Sequence, residues 1–164
     1  MDRKLIKENM PEAQVVLDAV RRIVKSLRSF SKYTEKEFGL STAQIYVLEK
    51  LVEVGRPLSV NELAEATLTH QSSASVVISK LVNRKLVDRT IREDDSRSVK
   101  LSISKQGAYL LSKSPKSIQE RLVVGLGQMS PKERKGLVDG LQSLIQKAGL
   151  QSEDATMLLE DDDK

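Results

Sequence analysis

Residues 58–104 constrain the fold most strongly, because the spacing of apolar residues changes there from helical to extended. A short helix is predicted over residues 58–66, and a turn over residues 67–70 leads to a second helix over residues 71–84. The inward stripe of this second helix consists of Ala74, Val77, Ile78 and Leu81. Two strands around a charged tip follow. Two short helices and a two-stranded ribbon in this order predict a winged helix-turn-helix, which places one helix in the major groove of DNA and a loop beside it.

Long helices are predicted on both sides of this region. The segment over residues 10–38 has an apolar seam at steps of three and four, and its length would be about 40 Å. Such a helix is too long to be covered by its own small domain, so part of it should pack on another chain. Another long helix is predicted over residues 105–129, where Pro115 should bend it or begin a new segment. The last helix, over residues 131–148, starts behind the capping sequence Ser130-Pro131-x-Glu133.

The helix that begins near Ser41 has the clearest start signal in the first half of the chain. Ser41 and Gln44 have the spacing of a capping box, and Gly55 precedes a proline that stops the helix. The apolar residues predicted to form its buried stripe are Ile45, Leu48, Leu51 and Val52.

The outward face of the helix over residues 71–84 differs from an ordinary solvated helix face. Three of its outward residues are serines (Ser72, Ser75 and Ser79) and one is Val76, all weak helix formers at positions where Glu and Lys are the common choices. Short hydrogen-bonding side chains can reach base edges or phosphates, and a helix N-terminus attracts a phosphate. The candidate DNA contacts on this helix are Gln71, Ser72, Ser73, Ser75, Val76, Ser79, Lys80 and Arg84. The alternative is a plain solvent-facing surface.

The tip between the two predicted strands mixes both signs of charge. Asp95 stands two residues before Arg97, and across a tight turn its carboxylate can hold the guanidinium by a charge-assisted hydrogen bond. An arginine held in this way loses less entropy when it enters a narrow minor groove. The candidate contacts on the wing are Arg92, Asp95, Arg97 and Ser98. The alternative is an exposed acidic turn without a role in binding.

The charge of the body points to a polyanionic partner. The net charge is +4, but residues 151–164 hold six acids and one base; without them, 26 bases and 17 acids remain, a net charge of +9. The absence of cysteine excludes disulfides, thiolate catalysis and thiolate-bound zinc, and a single histidine cannot form a histidine-rich metal site. We therefore expect no cofactor, no metal and no enzymatic activity. Without an apolar run long enough for a membrane span or a signal peptide, the expected location is the cytoplasm.

The order and spacing of several short motifs resemble the MarR family of transcription regulators over nearly all of residues 12–148. The motifs are Leu40-Ser41-x-x-Gln44-x-x-Val47-Leu48, Glu62-Leu63-Ala64, Leu81 leading to Leu86-Val87-Asp88-Arg89, Asp95-x-Arg97-Ser98, Lys100-Leu101-Ser102-Ile103-Ser104-x-x-Gly107 and Ser130-Pro131-x-Glu133.

The resemblance implies a mainly α fold with a small β-wing, six helices and a two- to three-stranded antiparallel sheet. Residues 39–104 would bind double-stranded DNA, and residues 1–38 and 105–149 would form a helical dimerisation region. Beyond the resemblance, the acidic composition of residues 150–164 predicts a disordered tail. The implied homodimer interface contains Val16, Val20, Leu137, Leu141, Leu144 and Ile145.

The chain departs from the family pattern at two positions. Val76 stands in the middle of the recognition helix where many relatives have an arginine, and Lys85 stands before the first wing strand where many have a glycine. A valine could instead contact a thymine methyl group. Many relatives release DNA when a small, often aromatic, anion binds between the dimer arm and the DNA-binding lobe. The pocket walls that this implies are Phe30, Tyr33, Tyr46 and Tyr109, which could equally be plain core aromatics.

Two functions from different classes follow. The first is a homodimeric, sequence-specific DNA-binding regulator, a repressor on a near-palindromic operator, with a small molecule as its effector. The alternative is a winged-helix module for protein interaction that has lost operator binding, which the missing arginine and the acidic wing tip and tail would favour. An enzyme would need a nucleophile and base or a metal cluster, and no such constellation stands out.

Overall fold

The computed structural model describes residues 10–92 and 95–152, and for residues 91, 92 and 95–98 it describes the backbone alone. The elements are α1 (Pro11–Phe38), α2 (Thr42–Val54), α3 (Val60–Ala66), α4 (Gln71–Asn83), β1 (Val87–Arg92), β2 (Asp95–Ile103), α5 (Lys105–Lys113), α6 (Ile118–Gln128) and α7 (Pro131–Ala148). These elements confirm the predicted mainly α fold with a small β-wing. The tail predicted from residue 150 lies outside the described part of the chain beyond residue 152.

The described residues form seven helices where six were predicted, because residues 105–129 form two helices. Ser114 ends α5 in an extended conformation (φ −84°, ψ 140°), as expected of a residue before proline, since the proline ring clashes with a helical conformation there. Pro115 thus divides the segment and α6 starts at Ile118 with Ser117 as its N-cap, whose hydroxyl accepts from the N–H of Glu120 at 3.1 Å.

The β-wing is a two-stranded antiparallel sheet. Val87 pairs with Ile103 and Arg89 with Leu101, and the register shifts between Ile91 and Arg92. A single bridge joins Leu58 to Leu101, with N–H to carbonyl distances of 2.9 and 2.7 Å, so the third strand is reduced to one residue. The wing is therefore fastened to the turn before α3.

Helix α2 lies at the centre of the core. Every residue from Thr42 to Leu51 is buried, and α1, α3, α4, α5, α6 and β2 all contact this helix. The prediction that Val52 is buried is wrong: it is 50% exposed, whereas Glu49 and Lys50, which the apolar pattern could not select, are buried. Packing from several sides overrides the single inward stripe that a surface helix would show. No described helix has both the length and the apolar character needed to span a membrane.

Three N-terminal capping boxes position the helices. The predicted pairs Ser41 with Gln44 and Ser130 with Glu133 are both confirmed. A third pair, Ser59 with Glu62, starts α3: the Ser59 hydroxyl accepts from the N–H of Glu62 at 3.2 Å, and the Glu62 carboxylate accepts from the N–H of Ser59 at 2.7 Å. Each box satisfies N–H groups that have no partner within the helix.

Each helix of the helix-turn-helix is followed, within two residues, by a non-glycine residue in the left-handed conformation. Leu68 (φ 55°) follows α3 and Lys85 (φ 58°) follows α4, whereas α1, α2 and α7 end at Gly39, Gly55 and Gly149. Side chains in this conformation cost about 1–2 kcal/mol, because Cβ approaches the following carbonyl oxygen. The conformations persist because hydrogen bonds close both turns, from Thr69 N–H to the Ala64 carbonyl and from Leu86 N–H to the Leu81 carbonyl, both at 3.0 Å.

Close packing at the start of α5 requires a glycine. A Cβ on Gly107 would lie 2.2 Å from the carbonyl oxygen of Leu86 and 3.0 Å from Cγ1 of Ile103. The N–H of Gly107 donates to the Ser104 hydroxyl at 3.0 Å, and that hydroxyl donates to the carbonyl of Lys85 at 2.8 Å. The end of β2 is thereby fixed against the turn that follows α4.

Candidate nucleic-acid interface

Helix α4 turns one face to the core and presents the other to solvent. Its predicted inward stripe is buried, which confirms that part of the sequence analysis. On the outer side Gln71, Ser72, Val76 and Ser79 are exposed, while Ser73, Ser75 and Lys80 are partly buried. With 49% of its surface exposed, Val76 is placed where an apolar group could contact a base methyl group. The helix contains no acidic residue.

The hydroxyl groups of two serines on this face donate hydrogen bonds to backbone carbonyls of the same helix. Ser75 donates to the carbonyl of Gln71, and Ser79 donates to the carbonyl of Ser75, both at 2.8 Å. Each oxygen keeps lone pairs that can accept from an amino group of cytosine or adenine. A serine hydroxyl that bonds to the carbonyl four residues earlier slightly destabilises a helix, so the stability of α4 does not explain these serines.

The N-terminus of α4 is open to an anion. His70 is its N-cap residue and makes no side-chain capping bond. The N–H groups of the first turn therefore lack the partner that the capping boxes supply elsewhere, and the helix dipole makes this end positive. A phosphate could bind there.

Glu62 connects the wing to the helix-turn-helix. Its carboxylate pairs with Lys100 of β2 at 2.8 Å and with Arg56 at 2.8 Å, in addition to the N–H of Ser59. The Lys100 ammonium, then the Ser59 N–H and the Arg56 guanidinium hold the pKa of Glu62 well below its usual value of 4.5. Sequence analysis missed this cluster, although the spacing of Ser59 and Glu62 carried the signal of a capping box.

The outer part of the wing lies beyond what the structure describes. The backbone of Arg92 ends β1 and that of Asp95 begins β2, where the two residues pair. The side chains of Arg92, Asp95, Arg97 and Ser98 fall outside the described atoms. The hydrogen bond between Asp95 and Arg97 and its role in a minor groove therefore remain predictions.

Arg84 makes contacts that the sequence did not predict. It is the C-cap residue of α4, and its guanidinium donates to the carbonyl of Phe38 at 3.2 Å and to the carbonyl of Gly39. These carbonyls end α1, where the last C=O groups of a helix have no internal partner and the dipole is negative. A residue proposed from its charge as a DNA contact thus binds the C-terminus of the first helix.

A buried polar cluster fastens α6 to α2. The carboxylate of Glu49 accepts from the N–H of Ser117 at 2.9 Å and from its hydroxyl at 2.6 Å. Beside it, Lys50 pairs with Glu53 and Glu120, each at 2.7 Å. Burial alone would lower the pKa of Lys50, but its hydrogen bonds with Glu120 and Glu53 outweigh that effect and raise it. Lys50 therefore stays charged.

A shallow cavity of about 500 Å³, widely open to solvent, lies between α1 and the start of α6. Its lining combines aromatic, apolar and basic side chains: Lys25, Ser26, Ser29, Phe30, Tyr33, Pro115, Ile118 and Arg121. Of the four residues predicted to line a ligand pocket, Phe30 and Tyr33 share this cavity. Tyr46 and Tyr109 do not line it. Tyr46 is buried in the core, where burial raises its pKa, and Tyr109 is 69% exposed on α5 with the Lys113 ammonium 5.6 Å from its ring centre.

The first and last helices carry apolar side chains that this chain leaves uncovered. None of the residues of α7 is buried. The candidate dimer residues are between 39% and 47% exposed, and they are Val16, Val20, Leu137, Leu141, Leu144 and Ile145. Apolar stripes of this kind on two long helices are typical of surfaces that pack on another helix.

Comparison with known proteins agrees with this geometry. The model of the MarR family matches residues 38–98. The HTH-type transcriptional regulator SarZ of Staphylococcus epidermidis is 26% identical over 129 residues, which cover 76% of this chain and 83% of SarZ. Two solved structures share the fold. The transcriptional regulator BldR from Sulfolobus solfataricus superposes with a TM-score of 0.54 at 21% identity, covering 90% of this chain and 99% of BldR.

The second solved structure concerns control of DNA binding. It is described as the mechanism for regulation of DNA binding of Bordetella bronchiseptica BpsR by 6-hydroxynicotinic acid. Its TM-score is 0.52 at 26% identity, and the match covers 79% of this chain and 97% of BpsR.

We expect Glu62→Gln to reduce the loss of stability in acid. The pKa of Glu62 in the folded state lies below its ordinary value of 4.5, so its carboxylate contributes stability that is present above that pH and is lost as the pH falls below it. Urea unfolding at a series of pH values from 6 downwards should therefore show a steeper decline for the wild type than for the variant.

Glu133→Gln is the matched control for this experiment. Glu133 also belongs to a capping box, and the Ser130 hydroxyl and N–H lower its pKa without the help of a basic side chain. Glu133→Gln should therefore reduce the loss of unfolding free energy at acid pH by less than Glu62→Gln does. Equal effects of the two substitutions would show that the ion pairs with Lys100 and Arg56 contribute nothing.

Proposed function

We propose that this chain, whose residues 38–98 match the model of the MarR family and which is similar to the transcriptional regulator SarZ, acts as a homodimeric repressor of a near-palindromic operator. The observation that carries the proposal is the outer face of α4. Gln71, Ser72, Val76 and Ser79 stand exposed there, on a helix without acidic residues whose N-terminus has no side-chain cap. Such a face suits hydrogen bonding and methyl contacts in the major groove better than it suits plain solvation.

The wing supplies the second half of the proposed contact. Glu62 holds the strand β2 through Lys100, so the base of the wing has a fixed position beside α4. Arg97 would then enter the minor groove, with Asp95 to orient it. Electrostatic attraction to phosphates would come from the basic body of the protein, whose net charge without residues 151–164 is +9 (26 bases and 17 acids).

DNA binding should depend steeply on salt. If each subunit makes about four phosphate contacts, the logarithm of the binding constant should fall with the logarithm of the salt concentration with a slope near −7. Arg97→Ala should weaken binding to the operator at least about tenfold, whereas Lys132→Ala, which removes the same charge from α7, should change it little. Selection from random DNA identifies the operator, and fluorescence anisotropy then measures the salt slope and the affinities of the variants. A slope near −1, or an unchanged affinity in Arg97→Ala, would instead favour a protein-interaction module.

The dimer would use the exposed apolar stripes of α1 and α7. Leu141→Asp places a charge within the α7 stripe, where a partner helix would desolvate it, so the variant should be monomeric in analytical ultracentrifugation. Val52→Asp is the matched control, because Val52 is 50% exposed and Leu141 is 47% exposed, but Val52 lies on α2 outside the stripes. A dimeric Leu141→Asp variant, or a monomeric Val52→Asp variant, would contradict this interface.

A small aromatic anion is the proposed effector, and the cavity beside α1 is its proposed site. The rings of Phe30 and Tyr33 offer apolar contact, and Lys25 and Arg121 offer positive charge for a carboxylate. The relative BpsR supports this class of effector, since its DNA binding is described as regulated by 6-hydroxynicotinic acid. The proposal places the ligand against both α1 and α6, so binding could change the angle between them.

We expect an aromatic carboxylate from a broad panel to raise the melting temperature of the wild type. The shift should be lost in Arg121→Ala, which removes a charge from the cavity. It should be kept in Lys113→Ala, because Lys113 lies beside the exposed ring of Tyr109 outside the cavity. Thermal-shift assays test this directly. A shift that depends on Lys113 would move the site to α5, and no shift across the panel would indicate a regulator without this effector.

A further inference from the structure

The contact of Arg84 with α1 joins two elements with different proposed roles. Helix α4 is the proposed recognition helix, and α1 belongs to the proposed dimer interface. Arg84 caps the C-terminus of α4, and its two terminal nitrogens donate to the last carbonyls of α1, those of Phe38 and Gly39. The partners are 45 and 46 residues apart in the chain, so this is a tertiary contact between two elements. Two donors on a planar group fix an angle as well as a distance.

Gly39 allows this close approach. Its left-handed conformation (φ 62°) turns the chain sharply at the end of α1, and a Cβ there would lie 3.3 Å from Nη2 of Arg84. The guanidinium is therefore seated against the turn itself. Its positive charge also lies at the negative end of the dipole of a helix with 28 residues, which strengthens the contact.

Because α1 is long, a small change of its angle at the Arg84 contact produces a large displacement at its other end. A helix of 28 residues is about 42 Å long. The apolar residues Val16 and Val20 lie near one end of it, and Arg84 binds the other. A tilt of about 5° over such a length displaces the far end by roughly 3.5 Å, which is close to one base-pair step of DNA. The angle between α1 and α4 would therefore determine which spacing of half-sites the dimer can bind.

We propose that Arg84 is a positioning residue that sets the distance between the two recognition helices of the dimer, and that it does so through α1 without contacting DNA. The inference rests on the proposed function, because it requires a dimer formed by α1 and α7. It replaces the direct DNA contact that the sequence alone suggested for Arg84. The guanidinium binds instead the carbonyls of Phe38 and Gly39 at the end of α1.

The first experiment measures the distance between the recognition helices directly, without DNA. The chain has no cysteine, so Ser72→Cys provides a single labelling site on α4 in each subunit. Double electron–electron resonance on the labelled dimer should give one narrow distance distribution in the otherwise wild-type protein. Arg84→Ala should broaden it at least twofold. Arg84→Lys should also broaden it, because an ammonium group cannot hold two carbonyls in one plane.

The second experiment separates positioning from direct contact. Affinities are measured for the selected operator and for versions with one or two base pairs added to or removed from its centre. Arg84→Ala should weaken binding to the best spacing at least about fivefold and reduce the preference among spacings, with the salt slope unchanged. A direct phosphate contact would instead reduce the slope by about 1.8 per dimer and keep the preference, and Arg84→Lys would then resemble the wild type.

The outcomes distinguish this inference from the proposed function. If the wild type is a dimer that binds DNA, and Arg84→Ala keeps both the narrow distance distribution and the preference for one spacing, the inference alone is wrong. If the wild type is monomeric or binds no DNA, the proposed function fails and the inference fails with it. Circular dichroism and the melting temperature are measured to check that the Arg84 variants are folded. We expect them to be, because the Arg84 side chain is exposed.

Discussion

The buried carboxylate of Glu49 is the interaction on which the arrangement of this protein depends. It lies on the central helix α2 and accepts both the N–H and the hydroxyl of Ser117, the residue that caps α6. An unpaired polar group in such a place would cost about 1–3 kcal/mol or more, so the two bonds favour one position of α6 over all others. Lys50 adds charged partners on α2 and α6 at 2.7 Å. Helix α6 is thus held on α2 by polar groups, of which Glu49, Lys50 and Ser117 are buried.

The contact between Arg84 and α1 has a different character. It is exposed, it uses backbone carbonyls, and it involves one charged group, so it can break at a much smaller cost than the buried cluster. Helix α1 is also held by Leu27, Phe30 and Thr34, which are buried in the core, so the contact of Arg84 adds to this packing at the end of the helix. The cavity with Phe30 and Arg121 lies between α1 and α6. A ligand there would contact the same stretch of α1 that packs on the core, beside the cluster of Glu49 and Ser117.

Sequence reasoning succeeded where a local pattern determines the structure. The inward stripe of α4, the capping boxes at Ser41 and Ser130 and the break at Pro115 all follow from residues within one or two turns of each other. It failed where the partner is distant in the chain. The burial of Glu49 and Lys50, the exposure of Val52, and the contacts of Glu62 with Lys100 and of Arg84 with Gly39 depend on which elements meet. The same limit applies to the aromatic residues, because the sequence does not show that Tyr46 is enclosed in the core and Tyr109 is exposed, while Phe30 and Tyr33 line one cavity.

The left-handed residues on both sides of α4 show how firmly this helix is held. A glycine at Leu68 and Lys85 would relieve about 1–2 kcal/mol at each turn, yet both side chains are accommodated in the folded state. The surroundings must therefore outweigh this cost, and they do so with four buried residues on α4 and with hydrogen bonds that close each turn. Helix α4 is thus held along its inner face and at both ends, which disfavours its rotation within the domain. If α4 is the recognition helix, adaptation to an operator would come from movement of the domain as a unit, and the contact of Arg84 with the end of α1 is one of the contacts that such a movement would change.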